Sequence, residues 1–346
     1  MTDAHVHFRD WNQSSKETIL HGMSVGAASG FNVFFDMPNT APPVTTISAV
    51  KERLQLGQLA EQNLRTQGID VHYHLYCGLT ADPTQIEQMV QAYNTYFPAV
   101  CGLKMFASQS TGNMGITNTS DQFKVYQTLT ALNYTGVLAV HCEKESLFCS
   151  DQIGEKVQRP HSQVRPPDSE VSAVHDQILF AMNSGFKGTL HIAHVSTAKS
   201  LSQVRDIKSK KLLKITCGAT PHHILLNSSQ ETPILRMNPP LRPEFDRAAV
   251  WSSLFDGTID WVESDHAPHT LSDKLSGACG IPGPEGMLLT IRALKKACMS
   301  EARLNELFCT NALKAFGLSD HSTPVPTTIT DDMLQTARSA YPFSAW

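Results

Sequence analysis

Short runs rich in β-branched and aromatic residues alternate along the chain with longer stretches in which apolar positions recur at helical spacing. The runs are TDAHVHF, NVFFDMP, VHYHLYCGL, AVCGLKMF, GVLAVHCE, GTLHIAHVS, LKITCGATP and TIDWVESDHAP, which predict eight strands. The amphipathic stretches fall at 16–29, 46–67, 84–96, 120–133, 169–184, 197–209, 245–255 and 285–298. Several follow Ser, Thr, Asp or Pro, which start helices; Asp168 or Ser169, after RPP, is the expected cap of the fifth. Eight strand-then-helix units are what an α/β fold of the (β/α)8 TIM-barrel type requires, and in that fold chemistry sits where strands end and loops begin. No repeat, low-complexity tract or linker interrupts the series. The chain therefore reads as a single barrel domain, residues 1–346, with a tail from about 318 in which Pro-rich STPVPTT precedes a short helical DDMLQTARSA.

Composition narrows the class. Of 346 residues, 41% are hydrophobic and 17% charged, and no apolar run approaches the roughly 20 residues that cross a bilayer. The first ten residues carry Asp3, Arg9 and Asp10 and lack the pattern of a secretion signal, so a cytoplasmic location is expected. Eight cysteines without a CxxC pair read as reduced thiols. A formal charge of −4 without a dense basic cluster argues against nucleic acid or an anionic membrane as the main partner. Fifteen histidines are the oddity.

Those histidines fall at the predicted strand ends. In DAHVHFRD, His5 and His7 stand two apart, so on a strand both imidazoles leave one face and can grip one cation. His72 and His74 share that spacing without company and are read as packing residues. The first pair has company in His141, His194 and Asp265, at the ends of the fifth, sixth and eighth runs, which makes five N or O donors on one rim. Lys104 in GLKMF belongs at the same rim, where a cation would be repelled by metal. Either it faces away or its charge is removed, and deprotonating a lysine of pKa ~10.4 at pH 7 costs about 4 to 5 kcal/mol unless burial and nearby cations lower that value. A neutral amine can take up carbon dioxide as a carbamate, whose two oxygens can bridge two metals. Asn39, among the prolines of DMPNTAPPVTT, either hydrogen-bonds a substrate or caps its turn. MNPPLRPEFDR holds Asn238 and Arg242, and DHAPH puts His269 in the loop beyond Asp265. Arg9 and His269 together would attract a carboxylate, or Arg9 pairs with Asp10 or another rim acid.

The stretches DAHVHFRD, DMPNTAPPVTT, GLKMF, LAVHCE, HIAHVST, MNPPLR and SDHAPH resemble the dihydroorotases of the amidohydrolase superfamily, from residue 3 to about 290. HFR and MPNTAPP point to that family rather than to allantoinases or dihydropyrimidinases, which share the metal ligands. The resemblance implies a metal-dependent enzyme of pyrimidine biosynthesis that reversibly cyclises N-carbamoyl-L-aspartate to L-dihydroorotate and water. It implies two zinc ions per subunit, one on His5, His7 and Asp265 and the other on His141 and His194, bridged by carboxylated Lys104 and a hydroxide. Asp265 would also move the proton, Arg9, Asn39 and His269 would hold the substrate carboxylate, and Asn238 would lie near the pyrimidine ring. A homodimer and association with aspartate transcarbamoylase are the partner expectations.

Two departures from the family pattern stand out. Many relatives carry a small β-sandwich built from segments before and after the barrel; none is recognisable here, so the compact, barrel-only form is expected. In the loop after Lys104, ASQSTGNMGI, Thr111 is followed by Gly112 where compact relatives often have a Thr-Thr pair that closes over substrate, which makes Thr111 the lid candidate. Another cyclic amidohydrolase is the nearest rival. An inactive homologue serving a transcarbamoylase should have lost ligands, yet all six positions are filled, and Lys104 with the amide-substrate loops opposes a single-metal deaminase.

Overall fold

A computed structural model describes residues 1–109, 113–150, 152–153 and 157–346. Eight strands form one parallel sheet: β1 (Thr2–Val6), β2 (Val33–Asp36), β3 (His72–Gly78), β4 (Val100–Phe106), β5 (Val137–His141), β8 (Thr189–Ile192), β9 (Ile215–Ala219) and β10 (Trp261–Val262). Two short strands, β6 (Gln152–Ile153) and β7 (Val157–Gln158), pair only with each other. Sequential strands are neighbours throughout, in the order β1-β2-β3-β4-β5-β8-β9-β10. The ends meet through a parallel bridge between Val6 and His266, with the His7 N–H donating to the His266 carbonyl at 2.7 Å. The sheet is thereby a closed (β/α)8 barrel of the TIM type.

Each of the eight amphipathic stretches is a helix, starting with Ile19–Ala28 and Ile47–Thr66 and ending with Glu244–Phe255 and Pro284–Lys296. Thr18, Thr46, Asp82, Asn118 and Thr197 each cap a helix by accepting a backbone N–H. The fifth helix corrects the expected cap. It starts at Pro167 behind Pro166, with no side-chain cap, and Asp168 lies inside its first turn. Proline at the first helical position needs no N–H partner, and Asp168 and Glu170 complement the helix dipole there.

Two apolar layers hold the barrel. The larger lies between strands and helices. The smaller joins strand residues, Phe35, Tyr76, Val137 and Trp261 among them, to the helix Asn311–Phe316. The Phe316 ring stands 4.8 Å from Phe35 and 5.7 Å from Tyr76, so this helix, which the sequence pattern did not reveal, packs at the strand starts. His72 stacks on His321 and His74 bonds the Pro98 carbonyl, as packing residues do. The tail forms the helix Asp331–Ser339 and then returns to the barrel, where the Tyr341 hydroxyl donates to buried Glu17 at 2.9 Å. All eight cysteines are free, and no described helix is long and apolar enough to cross a membrane.

Candidate active site and metal centre

The strand ends bring the predicted donors together. His5 lies in β1 and His7 just beyond it, Lys104 in β4, His141 at the end of β5, His194 two residues past β8 and Asp265 three past β10. Donor atoms of His5, His7 and Asp265 lie within 4.8 Å of one another, and all three residues are buried. His7 Nε2 is 2.9 Å and His5 Nε2 3.4 Å from Asp265 Oδ1. The His5 ring lies 5.3 Å from that of His194, whose Nε2 is 3.2 Å from His141 Nδ1. Lys104 Nζ is buried with no hydrogen-bond partner among the described residues, 4.9 Å from the Phe106 ring centroid. A cavity of about 90 Å³ opens over this cluster, lined also by Arg9, Asn39 and Asn238.

The proton arrangement is that of a cation site. If His7 Nδ1–H donates to Asn39 Oδ1 at 2.7 Å, Nε2 is left bare against the Asp265 carboxylate. Likewise, if His141 donates from Nε2 to Glu143 at 2.9 Å, its bare Nδ1 points at His194. Among the described residues, both His5 nitrogens and His194 Nδ1 lack hydrogen-bond partners although buried. Lone pairs facing lone pairs in a dry pocket are costly, and a metal ion between them removes the cost. Burial pushes the His5 imidazole down to about 4, with Lys104 acting in the same direction. Burial alone would raise the Asp265 carboxyl, but the His7 hydrogen bond and the charges of His5 and His7 hold it below the usual range. A neutral His5 imidazole beside an ionised Asp265 carboxylate is the protonation state that suits metal ligation.

Two carboxylates that the sequence reading passed over hold these histidines from behind. Glu143 takes the Nε2 side of His141 and is itself gripped by Arg165 at 2.7 Å. Glu263 accepts from the His194 N–H at 2.6 Å, His191 at 3.1 Å and Trp261 Nε1 at 2.9 Å, and sits 3.6 Å from His5 Nδ1. Such outer partners fix ligand orientation and raise ligand basicity. Each is an acid next to a buried strand end, in VHCE and DWVESD, and that was the available signal. Gly218 makes room for Glu263, since a Cβ there would come within 2.6 Å of its carboxylate. His194 and Asp265 both have positive φ, 41° and 50°, so the chain turns sharply at two of the donors.

The remaining candidates fall in two groups. Arg9 is buried and lines the cavity; Arg53 anchors its carbonyl and that of Phe8 while pairing with Asp36 at 2.7 Å. Arg9 bonds the Pro268 carbonyl and lies 3.3 Å from His269, and its Nη1 has no hydrogen-bond partner among the described residues. His269 stands behind Arg9 rather than in the cavity lining. Burial, then Arg9 and Lys16, push its imidazole down to about 3, so it is a neutral partner that positions Arg9 rather than a second positive charge. Asn238 lines the cavity with its amide 2.8 Å from His161, whereas Arg242 is spent on Ser196 and the Arg165 carbonyl. Thr111 lies outside the described residues.

No family model matches the chain. The dihydroorotase of Lactiplantibacillus plantarum is 33% identical over 331 residues, covering 92% of this chain and 72% of that protein. The dihydroorotase of Methanosarcina mazei is 32% identical over 335 residues, covering 91% and 69%. Among solved structures, the L-hydantoinase (dihydropyrimidinase) of Arthrobacter aurescens has a TM-score of 0.77 at 23% identity, over 91% of this chain and 70% of that one. The dihydroorotase of Saccharomyces cerevisiae in complex with 5-fluoroorotic acid has a TM-score of 0.72 at 17% identity, over 96% and 92%. The structural likenesses establish the barrel, and the sequence identities, sustained along nearly the whole chain, establish more: this chain belongs to the dihydroorotase family.

Proposed function

We propose that the chain interconverts N-carbamoyl-L-aspartate and L-dihydroorotate plus water, with zinc held at the strand ends. The observation that carries this reading is the convergence of five buried N and O donors and a buried Lys104 amine without a hydrogen-bond partner among the described residues, with Arg9 lining the cavity over the donors. His5, His7 and Asp265 would hold one ion, His141 and His194 the other, and a carbamate on Lys104 would join them. Bound there, zinc would polarise the amide carbonyl and make hydroxide available near pH 7. The rest falls to side chains of this chain. Arg9 offers Nη1 to the substrate carboxylate, and Asn39 and His269 keep His7 and Arg9 in place. In ring opening, Asp265 takes the proton of the attacking water and hands it to the leaving ring nitrogen; in ring closure it runs the transfer backwards. Asn238 faces the same cavity from the far wall.

Zinc-loaded protein prepared with bicarbonate is expected to open L-dihydroorotate and to leave allantoin and dihydrouracil untouched. A preference for dihydrouracil, which has no ring carboxylate, would refute the reading. Arg9→Ala is expected to keep its zinc and to bind dihydroorotate roughly tenfold to hundredfold more weakly, the worth of a charge-assisted hydrogen bond. Unchanged affinity in that variant would assign the carboxylate to another residue.

A further inference from the structure

A second cleft, of about 540 Å³, opens beside the catalytic cavity, with Arg159, His161, Glu231, Arg236 and Lys274 in its walls. The two share a partition. His161 Nε2 lies 2.8 Å from the Asn238 amide and 3.8 Å from Cys279 Sγ, and both of those residues line the catalytic cavity. The Arg236 carbonyl accepts the N–H of Gly280, another residue of that lining, at 2.9 Å. Lys274 is fully engaged, its Nζ donating to the carbonyls of Arg236, Ala278 and Gly280 at 2.7 to 2.8 Å.

The two arginines are different. Neither Arg159 nor Arg236 makes an ion pair among the described residues; Arg159 donates from Nε to the Ser150 carbonyl, and the buried Arg236 Nε has no acceptor. Among the described residues Glu231 is the one acid in these walls, and it lies 3.2 Å from the Ser162 N–H. Arg165, deeper in, is neutralised by Glu143. A chain of formal charge −4 thus keeps, beside its catalytic cavity, two guanidinium groups that no acid among the described residues pairs. A buried guanidinium nitrogen left without an acceptor is costly, and the group that satisfies it best is an anion. A cleft whose walls carry net positive charge also focuses the field and raises the local concentration of anions.

We propose that this cleft is an entry site for the anionic substrate, where Arg159 and Arg236 gather the carboxylates before they pass the partition formed by His161 and Asn238. The proposal rests on the dihydroorotase reading, in which the acyclic substrate carries two carboxylates and the cyclic one carries a single carboxylate. A site acting through its field affects a ligand in proportion to the ligand's charge, so one loss of potential counts twice for the dianion. In the Arg159→Gln/Arg236→Gln double variant of the zinc-loaded chain, kcat stays within about twofold for both substrates. Its kcat/KM falls about threefold for L-dihydroorotate and about tenfold for N-carbamoyl-L-aspartate, and its salt dependence flattens. Arg159→Gln alone, at a half-exposed position, gives about half of each effect on a logarithmic scale. Equal losses for the two substrates, or unchanged kcat/KM, overturn the proposal. Calorimetric binding of N-carbamoyl-L-aspartate to the metal-stripped chain separates it from the functional reading. Weaker binding in the double variant upholds the cleft even if the parent turns nothing over, and equal binding overturns it.

Discussion

Lys104→Met is expected to lower turnover by roughly 10³-fold or more and to reduce the zinc content, while the metal-stripped variant is at least as stable as the metal-stripped parent at pH 7. The two halves of this expectation have one cause. Burial pushes the Lys104 amine down to about 8, against the opposing pull of Glu263 and Asp265, and among the described residues nothing hydrogen-bonds it. A drop from 10.5 to about 8 means that the ammonium form costs the folded, metal-free chain about 3 kcal/mol. Because the folded value lies below the unfolded one, that cost is complete below pH 8 and fades towards pH 10.5, where the unfolded amine also loses its proton. The stability margin of the Met variant should therefore be widest below pH 8 and narrow above it, as read by denaturant unfolding of metal-stripped protein. The burial that penalises the ammonium also favours the neutral amine, whose nitrogen can bond to carbon dioxide with release of one proton. Methionine fills the same space without a charge or a donor, so packing is kept and the proposed carbamate bridge cannot form. Full zinc content in Lys104→Met would remove Lys104 from the ligand set.

The donors were legible in the sequence because strand geometry is simple. A period of two puts His5 and His7 on one side, and an apolar run that stops at His141 or shortly before His194 marks the rim on which those residues open. The eight helices were legible for the same reason, their apolar spacing being undisturbed. What stayed hidden depends on contacts between distant segments. Glu263 matters because Gly218 on the neighbouring strand leaves room for its carboxylate, and neither residue alone announces the pair. Tyr341 reaches Glu17 across 324 positions, and Glu17 in turn pairs at 3.0 Å with His266, the residue after Asp265. The tail thus buttresses the loop that carries Asp265, although no local pattern in STPVPTT or DDMLQTARSA says so. The charge state of His269 was also not readable from the sequence, because burial, then Arg9 and Lys16, lower its imidazole and all three arise from the fold.

Asp265→Asn is expected to lower kcat by roughly 10³-fold while unfolding at nearly the parental denaturant concentration. The backbone at Asp265 has φ of 50°, a conformation that Asn adopts about as readily as Asp, so the turn past β10 survives the substitution. Size survives too, and the Asn amide can donate to His7 Nε2, which lies 2.9 Å from the present carboxylate oxygen. Only the negative charge and the capacity to accept a proton disappear. Burial works to raise this carboxyl, yet the His7 hydrogen bond and the charges of His5 and His7 more than offset it, so Asp265 is ionised at neutral pH. In the proposed mechanism a carboxyl held so low would relay a proton from attacking water to the leaving ring nitrogen rather than store it. Asp265→Ala makes the contrast, because alanine at this φ adds roughly 1 to 2 kcal/mol of backbone strain to the loss of the ligand and should lower stability as well as rate. An Asn variant that kept more than about a tenth of the parental kcat with full metal content would take proton transfer away from Asp265 and leave it as a ligand alone.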